Sequence, residues 1–284
     1  MMVAITYLYP HEKGDFPLSG KRIVVKVGTS TLIHPSGGVN LRKMDLLARV
    51  LSDLKNMGHQ VILVSSGAIG VGSGKLGLKE RPSQLRQKQA AAAVGQCELM
   101  HLYDKLFGDY GQTVAQILLT DEDVDHPARA EHLSGTFGAL LEMGCIPVVN
   151  ENDSVSSSEI ETGHKKVLGD NDSLSAIVAG LCGADLLVLL SDIDGLYDAN
   201  PKTHPEARLI PRVEAITPEI QALAGDEGTR WGTGGMATKL SAARRAMAHG
   251  IDMVIANSEN INALYDIVEG KPVGTLFSAP GARV

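Results

Sequence analysis

The segment Arg22-Ile23-Val24-Val25-Lys26-Val27-Gly28-Thr29-Ser30 contains the first predicted strand and the first predicted turn of this chain. Its β-branched residues favour a buried strand, and the Gly-Thr-Ser ending favours a tight turn. Lys26 is a charged residue in an otherwise apolar strand, so its ammonium group must either reach solvent or meet anions. A surface lysine on an edge strand is the plain alternative. Because Lys26 comes just before the glycine turn, we favour phosphate binding.

Beyond this segment, predicted strands and helices alternate. The predicted strands after the first are 60–65, 113–119, 146–150, 185–191, 252–257 and 273–278, and the predicted helices are 41–57, 83–107, 127–143, 171–182, 236–249 and 261–268. The strands are almost continuously apolar, which is typical of an α/β fold whose mostly parallel sheet is covered by helices on both faces. Ligands of such folds bind beyond the carboxyl ends of the strands. We expect the last strand to lie at the sheet edge.

The composition limits the classes of function. Hydrophobic residues make up 44% and charged residues 21% of the 284 residues, as in ordinary globular proteins. The net charge of −7 argues against non-specific nucleic-acid binding, and the aromatic content of 4% offers no stacking platform for bases. No uncharged run is long enough for a membrane span, and no secretory signal is recognised. We therefore expect no nucleic acid and no membrane as partners, and a cytoplasmic location.

The cysteines and the overall organisation give two further expectations. Cys97, Cys145 and Cys182 show neither zinc-ligand nor disulfide spacing, so we expect three reduced, buried, structural thiols. No linker and no internal repeat divide the chain. We therefore expect a loose arm over residues 1–20 and one domain over residues 21–284.

A second lysine, Lys239, closes the glycine-rich segment 232–239, Gly-Thr-Gly-Gly-Met-Ala-Thr-Lys. Glycine turns let backbone N–H groups approach phosphate oxygens, and a lysine adds a positive charge. Between the two lysines lie the acidic, amide-rich stretches Asn150–Asp153 and Gly169–Asp172. A turn or a helix N-cap explains part of each stretch but needs fewer such side chains. Together these segments predict a site for phosphoryl transfer, where catalysis is mostly positioning and charge neutralisation.

Two common nucleotide-binding motifs do not apply. Gly72–Gly77 has the spacing of a dinucleotide loop, but it lies several residues past its strand, so an NAD(P)-dependent oxidoreductase is only weakly supported. A Walker A loop is excluded because residue 69 is Ile and residue 76 is Leu. Ser191-Asp192, at the end of the most apolar strand, fits a capped turn or the edge of a nucleotide site equally well.

Taken in order, these segments resemble the amino-acid kinase family from about Lys21 to about Ser278. The matching stretches are 24–30, 65–69, 148–153, 169–172, 189–192, 232–239 and 270–277. The ordered set is highly specific, although any single member is not. The resemblance implies a three-layer αβα sandwich that uses ATP to phosphorylate a carboxylate, a carbamate or a phosphate. Within the family it closely resembles the members that phosphorylate the γ-carboxylate of L-glutamate, the first step of proline biosynthesis.

The resemblance also implies roles for individual residues. Lys26 and Lys239 would neutralise the transferring phosphoryl group, and Asp172 would hold both lysines in place. Glutamate would be bound by Ser66, Asp153 and Asn171. The ATP site would consist of Lys26, Gly28, Ser191, Asp192, Thr233, Gly234, Gly235, Met236, Ala237, Thr238 and Lys239. ATP and Mg²⁺ are the implied cofactors, and we assign no side chain as a direct metal ligand.

Other members of the family remain as alternatives. A kinase of aspartate, N-acetylglutamate or a nucleoside monophosphate would share the lysines and glycines, but the two acidic, amide-rich stretches favour free glutamate. A non-catalytic amino-acid sensor would not need both lysines. We further expect a homo-oligomer and feedback inhibition by proline, although the long segment between Asp153 and Asn171 departs from compact relatives. The C-terminal PUA domain of many relatives is not expected here.

Overall fold

The computed structural model describes residues 20–156, 170–224 and 235–279. In these ranges the strands are β1 (Arg22–Val27), β2 (Gln60–Val64), β3 (Val114–Leu119), β4 (Ile146–Glu151), β5 (Leu186–Ser191), β6 (Arg212–Val213), β7 (Asp252–Asn257) and β8 (Thr275–Phe277). The helices are α1 (Thr29–Leu32), α2 (Leu41–Asn56), α3 (Ala68–Lys75), α4 (Leu85–Asp109), α5 (Asp121–Asp125), α6 (Pro127–Glu142), α7 (Asn171–Cys182), α8 (Pro218–Ala222), α9 (Met236–Ala248) and α10 (Ala263–Val268). The arm predicted over residues 1–20 lies outside the described residues except for Gly20.

All eight strands form one sheet in the order β3-β4-β2-β1-β5-β7-β8-β6. Neighbouring strands run parallel except β7 and β8, so the predicted mostly parallel sheet is confirmed. The predicted edge position of the last strand is wrong. The two-residue strand β6 pairs with the outer side of β8, Arg212 opposite Leu276. A strand of two residues has no detectable alternation in the sequence.

The pleat of β1 separates two hydrophobic cores on opposite faces of the sheet. Ile23, Val25 and Val27 belong to the core that contains α2 and α4, whereas Val24 belongs to the core that contains α6, α7 and α9. Helices thus cover both faces, as the three-layer sandwich requires. Because side chains alternate along a strand, Lys26 lies on the same face as Val24. This alternation directs the Lys26 side chain towards α7 and α9.

Helix α7 carries the acidic stretch into the middle of the molecule. Asp170 is its N-cap, and one carboxylate oxygen accepts hydrogen bonds from the backbone N–H groups of Asp172 and Ser173, both at 2.8 Å. The helix ends at Gly183, whose φ of 59° is the left-handed conformation that glycine adopts without strain. Most of its residues are buried, which agrees with the mainly apolar sequence that follows its first turn. Asp172 is therefore a buried carboxylate in the first turn.

Helix α3, which follows β2, contains most of the Gly72–Gly77 stretch that has the spacing of a dinucleotide loop. Residues 72–75 lie inside α3, so they do not form a strand–turn–helix loop. Gly72 packs against α4, where an added Cβ would lie 1.8 Å from the carbonyl oxygen of Ala91. Gly95 makes the reciprocal contact, with 1.8 Å to the carbonyl oxygen of Ala68. These glycines allow two helices to touch, a packing role that needs no ligand.

The expectation of three buried cysteines is wrong for two of them. Only Cys182 is buried, while Cys145 is partly exposed and Cys97 is exposed. Cys97 is in the middle of α4, and Cys145 is in the turn that precedes β4. All three are free thiols, as predicted. Within the described ranges, no helix is both long enough and apolar enough to cross a membrane.

Candidate active site

The predicted polar segments meet at the carboxyl ends of four adjacent strands, β4, β2, β1 and β5. Lys26 is near the end of β1, Ser66 follows β2, Asn150 and Glu151 end β4, and Ser191 ends β5. Parallel strands present their carboxyl ends at one edge of a sheet, so segments far apart in sequence converge there. The three segments Gly169, Thr233–Gly234 and residues 157–168 lie outside the described residues.

Two lysines converge on one carboxylate. The Lys26 ammonium group lies 2.7 Å from Asp172 Oδ1, and the Lys239 ammonium group donates a hydrogen bond to Asp172 Oδ2 at 3.1 Å. The side chain of Asp172 is 1% exposed, that of Lys239 6% and that of Lys26 11%. Three charged groups therefore sit close together and almost out of water, with one more positive charge than negative charge. The arrangement attracts a further anion.

The two lysines keep Asp172 ionised. Burial raises the pKa of this carboxyl, but the charges and hydrogen bonds of Lys26 and Lys239 outweigh burial and lower the pKa to about 2. At neutral pH the carboxylate is therefore negative and orients both ammonium groups. Its neighbour Asp170 behaves differently, because burial raises its pKa and the two backbone hydrogen bonds and the charge of Lys26 do not outweigh burial there.

Helix α9 brings Lys239 and a row of backbone N–H groups to the same place. It begins at Met236 after Gly235 and has no side-chain cap. The Thr238 hydroxyl lies 3.0 Å from Asp172 Oδ2 and 2.8 Å from the Gly235 carbonyl oxygen, and it donates to one of them at a time. The N-terminus of a helix with no side-chain cap suits a phosphate group.

Gly28 and Ser191 border the lysines on the β1–β5 side. A Cβ on Gly28 would lie 3.7 Å from the Lys26 ammonium nitrogen, so glycine keeps this approach open. Ser191 is buried, and its carbonyl oxygen accepts a 2.7 Å hydrogen bond from the Ser258 N–H, which ties β5 to the turn after β7. Its hydroxyl donates to Asp192 Oδ1 at 3.2 Å. Asp192 is exposed.

On the other side of the lysines, the side-chain amide of Asn171 contacts residues at the ends of β2 and β4. The Asn171 side-chain nitrogen lies 2.7 Å from the Ser65 carbonyl oxygen, 2.5 Å from Ser66 Oγ and 3.3 Å from Asn150 Oδ1. Because a carbonyl only accepts, the Ser65 contact identifies this amide atom as nitrogen. The two hydrogens are thus used inside the protein, and Oδ1 is the atom of Asn171 that is left to receive a donor. Ser65 and Asn150 were not assigned roles by the sequence.

Asp153 lies apart from Ser66 and Asn171, in the lining of a separate cavity. It lines a cavity of about 420 Å³ between α4 and the segment after β4, together with Gln96, Cys97, Glu151 and Asn152. Neither Ser66 nor Asn171 lines this cavity. The three residues predicted to bind glutamate therefore lie at the ends of neighbouring elements, but only Ser66 and Asn171 touch in the described part of the chain.

No group of three or more histidine, cysteine or acidic side chains that would hold a metal ion occurs in residues 20–156, 170–224 and 235–279. Asp172 is already paired with two lysines. Mg²⁺ bound by one or two carboxylates usually completes its coordination with waters and substrate phosphates. The donor set thus suits an ion that arrives with a nucleotide rather than one held in a protein cage.

Comparisons of this sequence with a family model and with known proteins indicate the same family. A sequence model described as the amino acid kinase family matches residues 21–257. The glutamate 5-kinase of Clostridium perfringens is 54% identical over 259 residues, 91% of this chain and 96% of that protein. The glutamate 5-kinase of Listeria innocua is 54% identical over 261 residues, 92% of this chain and 94% of that protein.

Solved structures with much lower identity share the fold. Carbamate kinase from Giardia lamblia bound to AMP-PNP superposes with a TM-score of 0.64 at 15% identity, covering 92% of this chain and 99% of that one. The isopentenyl phosphate kinase product complex from T. acidophilum has a TM-score of 0.61 at 16% identity, covering 90% and 100%. These two structures support the three-layer architecture.

Proposed function

The chain belongs to the amino acid kinase family, and we propose that it transfers the γ-phosphoryl group of ATP to the γ-carboxylate of L-glutamate in proline biosynthesis. One observation carries the proposal: two buried lysines meet on Asp172 at the strand ends. They do so in a chain 54% identical to glutamate 5-kinases over nine-tenths of its length.

The reaction needs cations more than it needs a base. A γ-carboxylate oxygen of glutamate forms a bond to the γ-phosphorus while the bond from that phosphorus to the β,γ-bridging oxygen breaks. The products are γ-glutamyl phosphate and ADP. The nucleophile is already ionised at neutral pH, so no proton has to be removed. Negative charge on the oxygens around phosphorus is what the site must stabilise, and Lys26 and Lys239 supply positive charge for it.

ATP is assigned to the side of the site formed by β5 and α9. In this proposal its phosphates approach Gly28, the N-terminus of α9 and both lysines, and Ser191 and Asp192 border the nucleotide. Mg²⁺ enters as the Mg²⁺-ATP complex and neutralises phosphate oxygens. Thr233 and Gly234 complete the proposed nucleotide segment. Gly235 to Lys239 are the part of it whose geometry supports phosphate binding.

Glutamate is assigned to the side formed by Ser66, Asn171 and Asp153. The Asp153 carboxylate suits the substrate's ammonium group, and Asn171 Oδ1 suits another donor from it. The N-terminus of α3 follows Ser66 at Gly67, whose φ is 92°, and has no side-chain cap. Its backbone N–H groups suit a carboxylate of the substrate. Feedback inhibition by proline, a homo-oligomer and a cytoplasmic location remain predictions that accompany this function.

Trapping of the product tests the proposal. An acyl phosphate reacts with hydroxylamine to give a hydroxamate. We expect the purified chain with L-glutamate, Mg²⁺-ATP and hydroxylamine to form γ-glutamyl hydroxamate and ADP, and to do so only when Mg²⁺-ATP is present. Aspartate and N-acetylglutamate should react poorly, because they differ from glutamate in chain length or lack its ammonium group. Hydroxamate from one of these and none from glutamate would assign the chain to another substrate, and no hydroxamate from any would contradict carboxylate phosphorylation.

A further inference from the structure

One stripe of helix α4 points at the glutamate side of the site. Gln89, Gln96 and Tyr103 are spaced by seven residues, and a seven-residue step rotates a side chain by only about 20° around a helix. The three side chains therefore share one face over about 21 Å of helix. Each makes a hydrogen bond to the end of β4 or to a segment that follows β2 or β4.

Tyr103 holds the turn after β2. Its hydroxyl lies 2.8 Å from Ser65 Oγ, and its side chain is buried at 1% exposure. Ser65 Oγ also lies 3.2 Å from the Ser66 carbonyl oxygen, and either hydroxyl of the Ser65–Tyr103 pair can be the donor. Burial raises the pKa of Tyr103, which keeps its hydroxyl protonated. The turn that Tyr103 holds supplies the two closest acceptors of the Asn171 amide, the Ser65 carbonyl and the Ser66 hydroxyl.

Gln96 holds the end of β4. Its Oε1 accepts a 2.9 Å hydrogen bond from Asn150 Nδ2. The Glu151 backbone N–H donates to Asn150 Oδ1 at 2.9 Å, and a backbone N–H only donates, so the orientation of the Asn150 amide is unambiguous. In this orientation Asn150 Oδ1 faces the Asn171 amide at 3.3 Å. All three acceptors of Asn171 are therefore attached to α4 through Tyr103 or Gln96.

Gln89 extends the stripe to the segment after Asp153. Its side-chain nitrogen donates to the Ser156 carbonyl oxygen at 3.1 Å, and the Ser156 hydroxyl donates to Glu151 Oε1 at 2.6 Å. The Gln89 contact thus attaches the segment after Asp153 to α4.

We propose that Gln96 and Tyr103 are positioning residues for glutamate, which orient Asn171 and its neighbours through Asn150 and Ser65. The inference rests on the proposed function, because it assigns Ser66, Asn171 and Asp153 to glutamate. It implies that α4 contributes to the affinity for glutamate and not to that for ATP, whose proposed site lies on the far side of the lysines.

Tyr103→Phe is the first test, because it removes the hydroxyl and keeps the buried ring. Loss of one hydrogen bond that orients the binding groups should raise KM for glutamate about fivefold and leave KM for ATP unchanged. Tyr110→Phe is the matched control, since Tyr110 follows the same helix and its hydroxyl bonds the exposed Asp45. Tyr103→Phe in a Ser65→Ala background should add nothing further to KM, because both changes remove the same contact.

Gln96→Met is the second test, and Gln87→Met is its control. Gln87 is an exposed residue of the same helix and makes no side-chain hydrogen bond in the described part of the chain. We expect Gln96→Met to raise KM for glutamate severalfold and Gln87→Met to change neither KM.

The outcomes separate the two proposals. A wild-type chain that does not phosphorylate glutamate overturns both. Wild-type turnover of glutamate with an unchanged glutamate KM in Tyr103→Phe and Gln96→Met, or with equal rises in both KM values, overturns the positioning role alone. Equal rises would indicate that α4 only supports the fold.

Discussion

At the scale of single residues, the site depends on one buried carboxylate. Asp172 is held between Lys26 and Lys239. The contact of these three residues was predicted only from the resemblance to a family. Nothing in a local pattern predicts that residues 26, 172 and 239 touch. Local rules did predict that Lys26 needs anions and that the stretch containing Asp172 begins a helix, because both follow from strand and N-cap chemistry.

The depressed pKa of Asp172 predicts a pH dependence of stability. A carboxyl with a pKa of about 2 in the folded chain and about 3.8 in the unfolded chain stabilises the fold fully above pH 4. This stabilisation, about 2 kcal/mol, is lost as pH falls from 4 towards 2. In urea unfolding, the difference in stability between wild type and Asp172→Asn should be largest near neutral pH and shrink across that interval. A difference that stays constant from pH 6 to pH 2 would contradict the linkage.

At the scale of elements, the site is built by helix N-termini and strand ends whose positions depend on close packing. Helix α3 begins directly after Ser66 and Gly67, and it contacts α4 through Gly72 and Gly95. The same helix α4 carries Gln96 and Tyr103. A shift between these two helices would therefore move the turn that binds Asn171.

Glycine substitutions on α4 test this packing. Gly95→Ala places a methyl group 1.8 Å from the Ala68 carbonyl oxygen, so the helices must separate, and we expect a loss of roughly 1–3 kcal/mol of stability. Gly108→Ala is the control on the same helix, because its added methyl group meets nothing within 4 Å. The control should gain up to about 1 kcal/mol from helix propensity. Equal urea midpoints for the two variants would show that the close contact between α3 and α4 does not require glycine at position 95.

At the scale of the whole molecule, long elements were predictable and short ones were not. The predicted ranges of α2, α7 and β7 agree with the structure within about one residue. Each has many apolar side chains at the period of its element, so the signal accumulates. β6 and α8 have two and five residues and carry no such period. Because β6 was missing from the prediction, β8 was wrongly placed at the sheet edge.

The site was predictable where a residue type is unusual in its element and not predictable where contacts link distant residues. Lys26 in an apolar strand was such a signal. Tyr103 and Ser65 are 38 positions apart, and each is ordinary in its own helix or turn. The seven-residue spacing of Gln89, Gln96 and Tyr103 is visible in the sequence. The hydrogen-bond partners of these side chains can be identified only when the positions of β2 and β4 beside α4 are known.

The central claim is that paired lysines neutralise charge on the transferred phosphoryl group, and kcat of Lys239→Ala with saturating glutamate and Mg²⁺-ATP tests it most directly. Removal of a charge contact made in the transition state should lower kcat by about 10²-fold or more. Lys271→Ala, which removes an exposed lysine paired with Asp266 and Glu269, serves as the control and should keep wild-type turnover. Both variants should unfold cooperatively. A folded Lys239→Ala protein with near wild-type kcat would contradict the account.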